Sequence, residues 1–168
     1  MGKRSNFERV EHDFYETPVE AVLPLLPFIV GVSYWEPCAG HGALVRHLAS
    51  YARCIGHSDR EVDARSHQYP VQGDYFITNP PWTRELLHPI IENLSRQKPT
   101  WLLFDADWMH TRQSAVLMQC CSTIVSVGRV KWIPGTKMTG KDNVCWYLFN
   151  AVSRYASLFY GRSLGRRA

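Results

Sequence analysis

Four consecutive residues, Asn79-Pro80-Pro81-Trp82, offer a reacting group more than a turn requires. The Asn79 side-chain carbonyl and the Pro80 backbone carbonyl are oxygen acceptors on adjacent residues, suited to holding the N–H groups of an amine. Proline fixes φ, so the Pro80-Pro81 pair holds that arrangement by covalent constraint. Trp82 adds a flat face on which a planar ring can lie, a contact worth on the order of 1–3 kcal/mol for a nucleic-acid base. The plainer reading is a strand-ending turn with Trp82 in a core, and the tetrapeptide alone leaves both open.

A second constellation lies upstream, Glu36-Pro37-Cys38-Ala39-Gly40-His41-Gly42. Gly40 and Gly42 remove Cβ atoms where a positive φ or a close ligand approach is required. A helix starting near Gly42 presents unpaired N–H groups and a positive dipole end, which suits a carboxylate. A dinucleotide fingerprint needs a third glycine at position 45, where Val45 stands. An ordinary strand-to-helix turn accounts for one glycine, but not for Glu36 at the strand end as well. Asp59 closes the next strand, where an acid accepts both ribose hydroxyls. Its alternative is a helix-capping or surface aspartate.

Both constellations need strand ends to hold them. Residues 32–36 form a β-branched and aromatic run stopped by Pro37, and 43–48 follow as a helix with Leu44, Val45 and Leu48 on one face. Strands are predicted over 53–57, 75–78 and 100–104, and helices over 84–96 and 112–121. Residues 123–133 and 144–149 read as a closing antiparallel pair joined by the loop 134–143. Strands alternating with helices give an α/β layered, mostly parallel sheet. A ligand then belongs at the carboxyl ends of the strands, where EPCAGHG and NPPW fall.

EPCAGHGAL resembles motif I of the class I S-adenosylmethionine-dependent methyltransferases, in the form used by enzymes that methylate amino groups of nucleic acids. Tyr15-Glu16-Thr17-Pro18 resembles the segment that precedes motif I there and contacts the methionine end of the cofactor. The order YETP, EPCAGHG, SDR, NPPW is similar to that of the gamma-class DNA adenine-N6 methyltransferases, across residues 13 to 85. The resemblance implies a Rossmann-like sheet of six or seven strands, mostly parallel with an antiparallel last strand, and helices on both faces. It implies S-adenosylmethionine as cofactor, S-adenosylhomocysteine as product, and no metal. Tyr15, Thr17, Pro18, Glu36, Pro37, Cys38, Ala39, Gly40, Gly42, Asp59, Arg60, Asp74 and Asn79 are its implied cofactor contacts, and Asn79, Pro80, Pro81 and Trp82 its catalytic motif. In the resembled family Asn and Asp at the first motif position go mostly with adenine N6, and Ser mostly with cytosine N4. Asn79 thus favours adenine.

This sequence departs from the family between Asp59 and Asn79, where a helix and a strand usually stand; that unit is shortened or absent. Asp74 either reaches the cofactor adenine or only starts the next strand. Asp105, Asp107 and Trp108 either line the substrate side or cap the following helix. Gly128 to Trp132 loosely resembles a segment of small phage-type adenine methyltransferases.

Charge separates the two ends of the chain. Residues 1–118 carry eleven basic and fourteen acidic residues, whereas 119–168 carry eight basic residues and one acid, a balance of −3 against +7. The basic portion points to a polyanionic partner, with Arg129, Lys131, Trp132, Lys137 and Lys141 as candidate contacts. The alternative is a solvated basic loop and tail. DNA is the expected substrate, with RNA the main alternative. Protein glutamine methylation and a non-catalytic nucleic-acid-binding subunit are further readings, disfavoured by the basic end and by two intact motifs.

The 168 residues suggest one catalytic domain over 1–150, with 1–30 as a cofactor-contacting segment, and a basic, partly disordered tail over 151–168. At 45% hydrophobic and 20% charged residues, composition is that of an ordinary globule and excludes disordered or collagen-like structure. The apolar run 21–32 is broken by Pro24 and Pro27 and too short for a bilayer, and no signal-peptide pattern precedes it. A soluble cytoplasmic protein of a bacterial or phage-infected cell, monomeric or homodimeric, is expected. Five cysteines without paired spacing read as free thiols, and no metal set is apparent.

Overall fold

Alternation with a period of two sends successive strand residues to opposite faces of a sheet, and here both faces are apolar. The structure, a computed structural model, describes residues 16–133, 140–152 and 156–162. Its strands are β1 Ser33–Glu36, β2 Arg53–His57, β3 Tyr75–Thr78, β4 Thr100–Asp105, β5 Cys121–Arg129, β6 Asn143–Phe149 and β7 Leu158–Tyr160. They form one sheet in the order β2-β1-β3-β4-β6-β5-β7. β1 to β4 run parallel, β6 runs antiparallel between β4 and β5, and β7 lies parallel to β5. This mostly parallel architecture is the one expected from the sequence.

Helices cover both faces. α1 Val19–Val22, a 3₁₀ turn Leu23–Leu25, α2 Leu26–Ile29 and α3 Ala43–Leu48 pack on the side chains of Tyr34, Ile77, Trp101, Leu103 and Trp146. On the opposite face, Leu87, Ile90, Ile91 and Leu94 of α4 Arg84–Gln97 join Phe76, Leu102, Phe104, Tyr147 and Phe149. That i, i+3, i+4, i+7 stripe is the spacing that marks an amphipathic helix.

Two regions differ from the sequence expectation. The helix expected over 112–121 is a 3₁₀ turn, Arg112–Ser114, followed by α5 Ala115–Met118. Cys121 instead opens β5, buried and paired with Phe149, so sheet pairing overrides helical spacing there. The C-terminal segment, expected to be partly disordered, contributes β7 through the apolar run Leu158-Phe159-Tyr160 beside Thr123–Val125. Residues 59–74 hold neither strand nor helix, in keeping with the shortened or absent unit expected there. The seven-strand count is reached because β7 is added at the far edge.

The loop 59–74 is fixed by α4 and its end. Asn93 Nδ2 donates to the carbonyls of Ala64 and His67 at 3.0 and 2.9 Å, and Gln97 Oε1 accepts from the Tyr69 N–H at 2.9 Å. The Lys98 ammonium donates to the carbonyls of Pro70, Val71 and Gln72 at 3.1, 3.2 and 2.6 Å. One helix thus carries an apolar stripe for the core and a polar set that anchors the shortened connection. Gly56 has a different local cause: a Cβ there would collide with the Trp35 indole ring, which lies across β2.

Candidate functional site

The carboxyl ends of β1, β2 and β3 open onto a cavity of about 470 Å³. Backbone hydrogen bonds tie the loops that follow β1 and β2 together. The Ser58 N–H donates to the Glu36 carbonyl at 3.0 Å, the Ala39 N–H donates to the Ser58 carbonyl at 2.9 Å, and the Ser58 hydroxyl donates to the Pro37 carbonyl at 3.3 Å. Thr78, at the end of β3 and buried, accepts the Cys38 N–H on its hydroxyl at 3.2 Å. The first loop is therefore pinned from both neighbouring strands before any ligand arrives.

Eleven of the residues expected around the cofactor or reaction line this cavity: Thr17, Glu36, Pro37, Cys38, Ala39, Gly40, Asp59, Arg60, Asn79, Pro80 and Pro81. Gly40 has φ +52° and Gly42 φ +75°, the left-handed region that glycine tolerates best. Gly42 serves the backbone turn and not the cavity, since a Cβ there would meet Arg46 Nη1 at 3.7 Å, an ordinary contact. Pro18 precedes α1 as its N-cap and is not a lining residue. Tyr15 and Lys137 lie outside the described residues.

Asp74 is a correction. It stands just before β3, at the amino end of the strand, whereas the cavity lies at the carboxyl ends. Its carboxylate accepts the Ser33 N–H and the Ser33 hydroxyl, both at 2.8 Å, and these bonds hold its pKa below the ordinary aspartate value. It fastens β3 to β1 and does not reach the cavity. The acid that does so from the shortened connection is Asp63, with Val62, Ala64 and Arg65 beside it. Asp63 pairs with Arg65 at 2.8 Å, which lowers its pKa to about 2. No motif marked these residues. The one available signal was that a 59–74 segment without strand or helix has to cover the sheet end where the missing unit would stand.

Glu36 is 1% exposed, and its Oε2 has no hydrogen-bond partner. Burial raises its pKa to about 8, against an opposing hydrogen bond from the Val45 N–H and with added repulsion from Asp59. Burial thus favours its protonated form. A cation entering the cavity would favour its ionised form. At the rim, Glu16 faces His41 Nδ1 at 3.4 Å and Arg46 Nη2 at 3.7 Å, which draws the segment before α1 toward the loop 41–46.

A second, smaller cavity of about 150 Å³ is lined by Trp82, Arg84, Leu87, Phe104, Asp105, Asp107, Trp108 and Thr111. Asp105 has two contacts here. Its carboxylate accepts the Asp107 N–H at 2.9 Å, capping the 3₁₀ turn Ala106–His110, and it also lines this cavity. Burial raises its pKa. The Trp108 indole N–H donates to His88 Nε2 at 2.9 Å, so this histidine is neutral, and burial lowers its pKa accordingly.

Trp82 is half-buried and packs against both apolar layers. Its indole N–H donates to Asn79 Oδ1 at 3.1 Å, and its ring meets Trp132 edge-on with centroids 5.3 Å apart. Trp132 belongs to the β5–β6 connection, which lies on the same side of the sheet as the two cavities. Arg129 at the end of β5 and Lys131 and Lys141 in that connection are exposed, and the Lys131 N–H donates to the Glu20 carboxylate at 3.4 Å. Of the candidate nucleic-acid contacts, Trp132 is thus placed against the tetrapeptide.

No protein-family profile and no curated protein match the chain. Solved structures do. A dimethyladenosine transferase from Plasmodium falciparum superposes with TM-score 0.52 at 15% identity, over 82% of this chain and 62% of that one. A protein from Pyrococcus horikoshii assigned as an RNA methyltransferase gives TM-score 0.50 at 15% identity, over 86% and 90% of the two chains. The modification subunit of an enzyme from Vibrio vulnificus assigned to the type I restriction class gives 0.51 at 14%, over 92% and 48%. The chain therefore spans less than two thirds of the first and third of these. The likeness is one of fold: this is the Rossmann-like fold of the class I methyltransferases. Among the described residues no helix is long and apolar enough to cross a membrane.

Proposed function

We propose that this protein is an S-adenosylmethionine-dependent methyltransferase that modifies the exocyclic N6 amino group of adenine in DNA. The observation that carries this reading is the shared wall. Asn79, Pro80 and Pro81 line the larger cavity while Trp82, the next residue, lines the smaller one. A donor on one side and a planar base on the other would meet at those four residues.

The larger cavity fits the cofactor in size and in chemistry. Its volume lies in the range of small-molecule sites. The unpartnered Glu36 Oε2 suits a cationic ligand, and Asp59 at the end of β2 suits ribose hydroxyls. Glu36, Asp59 and the 37–40 backbone would hold the cofactor, with Asp63 at the shortened connection. When bound, it supplies an electrophilic methyl group on a sulfonium.

The chain's own residues then have a limited task. The adenine amino nitrogen is a weak nucleophile because its lone pair is delocalised into the ring. Asn79 Oδ1 and the Pro80 carbonyl, as acceptors for its two N–H groups, favour a pyramidal nitrogen with the lone pair directed at the methyl. Bound there, the cofactor would supply a methyl group to that nitrogen, and the amine would then lose a proton to water. No strong base is required, because attack on a cation removes charge from the donor.

Support for DNA comes from charge. Arg129 at the end of β5 and Lys131 and Lys141 in the β5–β6 connection are exposed at the carboxyl end of the sheet, within the portion of the chain that carries +7. A second reading, methylation of adenosine in RNA, draws on the fold neighbours described as a dimethyladenosine transferase and an RNA methyltransferase. Incubation with labelled S-adenosylmethionine and duplex DNA, single-stranded DNA, RNA and protein, followed by nucleoside mass spectrometry, separates them. N6-methyldeoxyadenosine is expected. Label in RNA alone would replace the DNA reading, and label in protein alone would overturn both.

A further inference from the structure

The fourth residue of the tetrapeptide does more than present a ring. The Trp82 indole N–H donates to Asn79 Oδ1 at 3.1 Å, and Trp132 holds the indole edge-on at an interplanar angle of 82°. A carboxamide has two branches of opposite character, an accepting C=O and a donating NH₂, exchanged by a half-turn of the side chain. An indole N–H can only donate. It therefore selects one of the two orientations of Asn79.

We propose that Trp82 is a positioning residue whose indole N–H locks the Asn79 amide with Oδ1, and not Nδ2, at the junction of the two cavities, with Trp132 as its brace. The inference rests on the methyl-transfer reading above. In the opposite orientation the Asn79 NH₂ would point donors at the N–H groups of the incoming amine, which repels the substrate at the reacting atom. A carbonyl oxygen has two acceptor sites, so it can hold the indole and an amine N–H together. A phenylalanine or tyrosine in place of Trp82 would keep a flat ring and lose the lock.

A double-mutant cycle separates the lock from stacking. Trp82→Phe should lower kcat roughly five- to tenfold, the scale of one hydrogen bond, with the affinity for S-adenosylmethionine unchanged. Asn79→Asp makes both branches oxygens, so no orientation is wrong, and in that background Trp82→Phe should cost less than twofold. Equal losses in the two backgrounds would overturn the proposal. A readout without turnover is the ¹⁵N indole resonance assigned to Trp82 through Trp82→Phe. Its proton should exchange with solvent faster in Asn79→Leu, and unchanged exchange would also overturn the lock. If the wild-type protein methylates no polymer, the methyl-transfer reading fails and this role with it. A protected indole proton would still establish the hydrogen bond, so the two failures are distinguishable.

Discussion

The parallel half of the sheet lines its cavity with groups held in fixed positions, whereas the antiparallel half offers exposed charge at and beyond the end of β5. In the first, Glu36 is 1% exposed and the 36–40 loop is tied to the ends of β2 and β3 by hydrogen bonds. In the second, Arg129, Lys131 and Lys141 are exposed within a portion of net charge +7. The difference matches two kinds of ligand. A compact molecule is recognised by contact and shape, in a medium that salt does not reach. A polyanion is attracted over several ångströms by charges that salt screens, with a Debye length of about 8 Å at 0.15 M. The halves meet at the tetrapeptide, with Asn79 to Pro81 on one cavity and Trp82 on the other.

Breaking the meeting point should have the largest effect. Asn79→Ala is expected to lower turnover by about a hundredfold or more, the scale of removing one preorganised polar group at a reacting atom, with cofactor affinity within twofold of wild type. Calorimetry beside single-turnover kinetics reads both quantities. A parallel loss of binding and turnover would mean that Asn79 belongs to the cofactor side alone.

The parallel half is sharpened by Asp59→Ala, which should weaken S-adenosylhomocysteine binding by roughly tenfold through lost hydrogen bonds. That loss should be the same at 50 and 300 mM salt, because the contact is local. The antiparallel half should behave the other way. Arg129→Ala with Lys131→Ala should weaken binding to every DNA sequence alike and reduce the slope of log affinity against log salt by about two. An unchanged slope would move the phosphate contacts elsewhere on the surface.

The smallest expected effects concern pH. Burial raises the Glu36 pKa to about 8 in the folded protein, above its ordinary 4.5. Folding then retains a proton that the unfolded chain releases, so this contribution is complete below pH 4.5 and is lost as pH rises toward 8. Glu36→Gln should flatten the decline in Tm between pH 5 and pH 8. His88 has the opposite sign. Its pKa is lowered in the fold, so stability falls as pH drops below 6.5, where the unfolded chain gains its proton first. Replacing His88 with Gln, which can still accept from Trp108, should reduce the acid-side loss. Identical curves for variant and wild type would remove either assignment.

Much of the sheet was legible because each strand has a local cause. Residues 53–57 and 75–78 are observed as predicted, since apolar runs bounded by turn residues leave little freedom of register. The glycine loop and tetrapeptide were legible for another reason: their residues suit a chemistry better than they suit packing. Asp74 was open between two roles, and its place just before β3 puts it at the amino end of a parallel strand, away from the cavity, so that it starts the strand. Asp63 was hidden because it lies in a connection without periodicity, anchored by the distant Asn93, Gln97 and Lys98. Cys121 and β7 were misread because long-range pairing, absent from any local window, decided their conformation.

The strand order has a consequence for how the chain is made. β4 pairs through Thr100–Asp105 with Val144–Phe149 of β6, so the centre of the finished sheet joins segments some forty residues apart in synthesis. As the chain emerges, β1 to β4 are all available while the other side of β4 still lacks its neighbour. That side of a nearly fully buried strand, TWLLF, is an open edge of the kind that recruits foreign strands. The hairpin β5–β6 closes it when Phe149 has left the ribosome. Until residues 144–149 are available, that edge of β4 therefore stands open to mispairing.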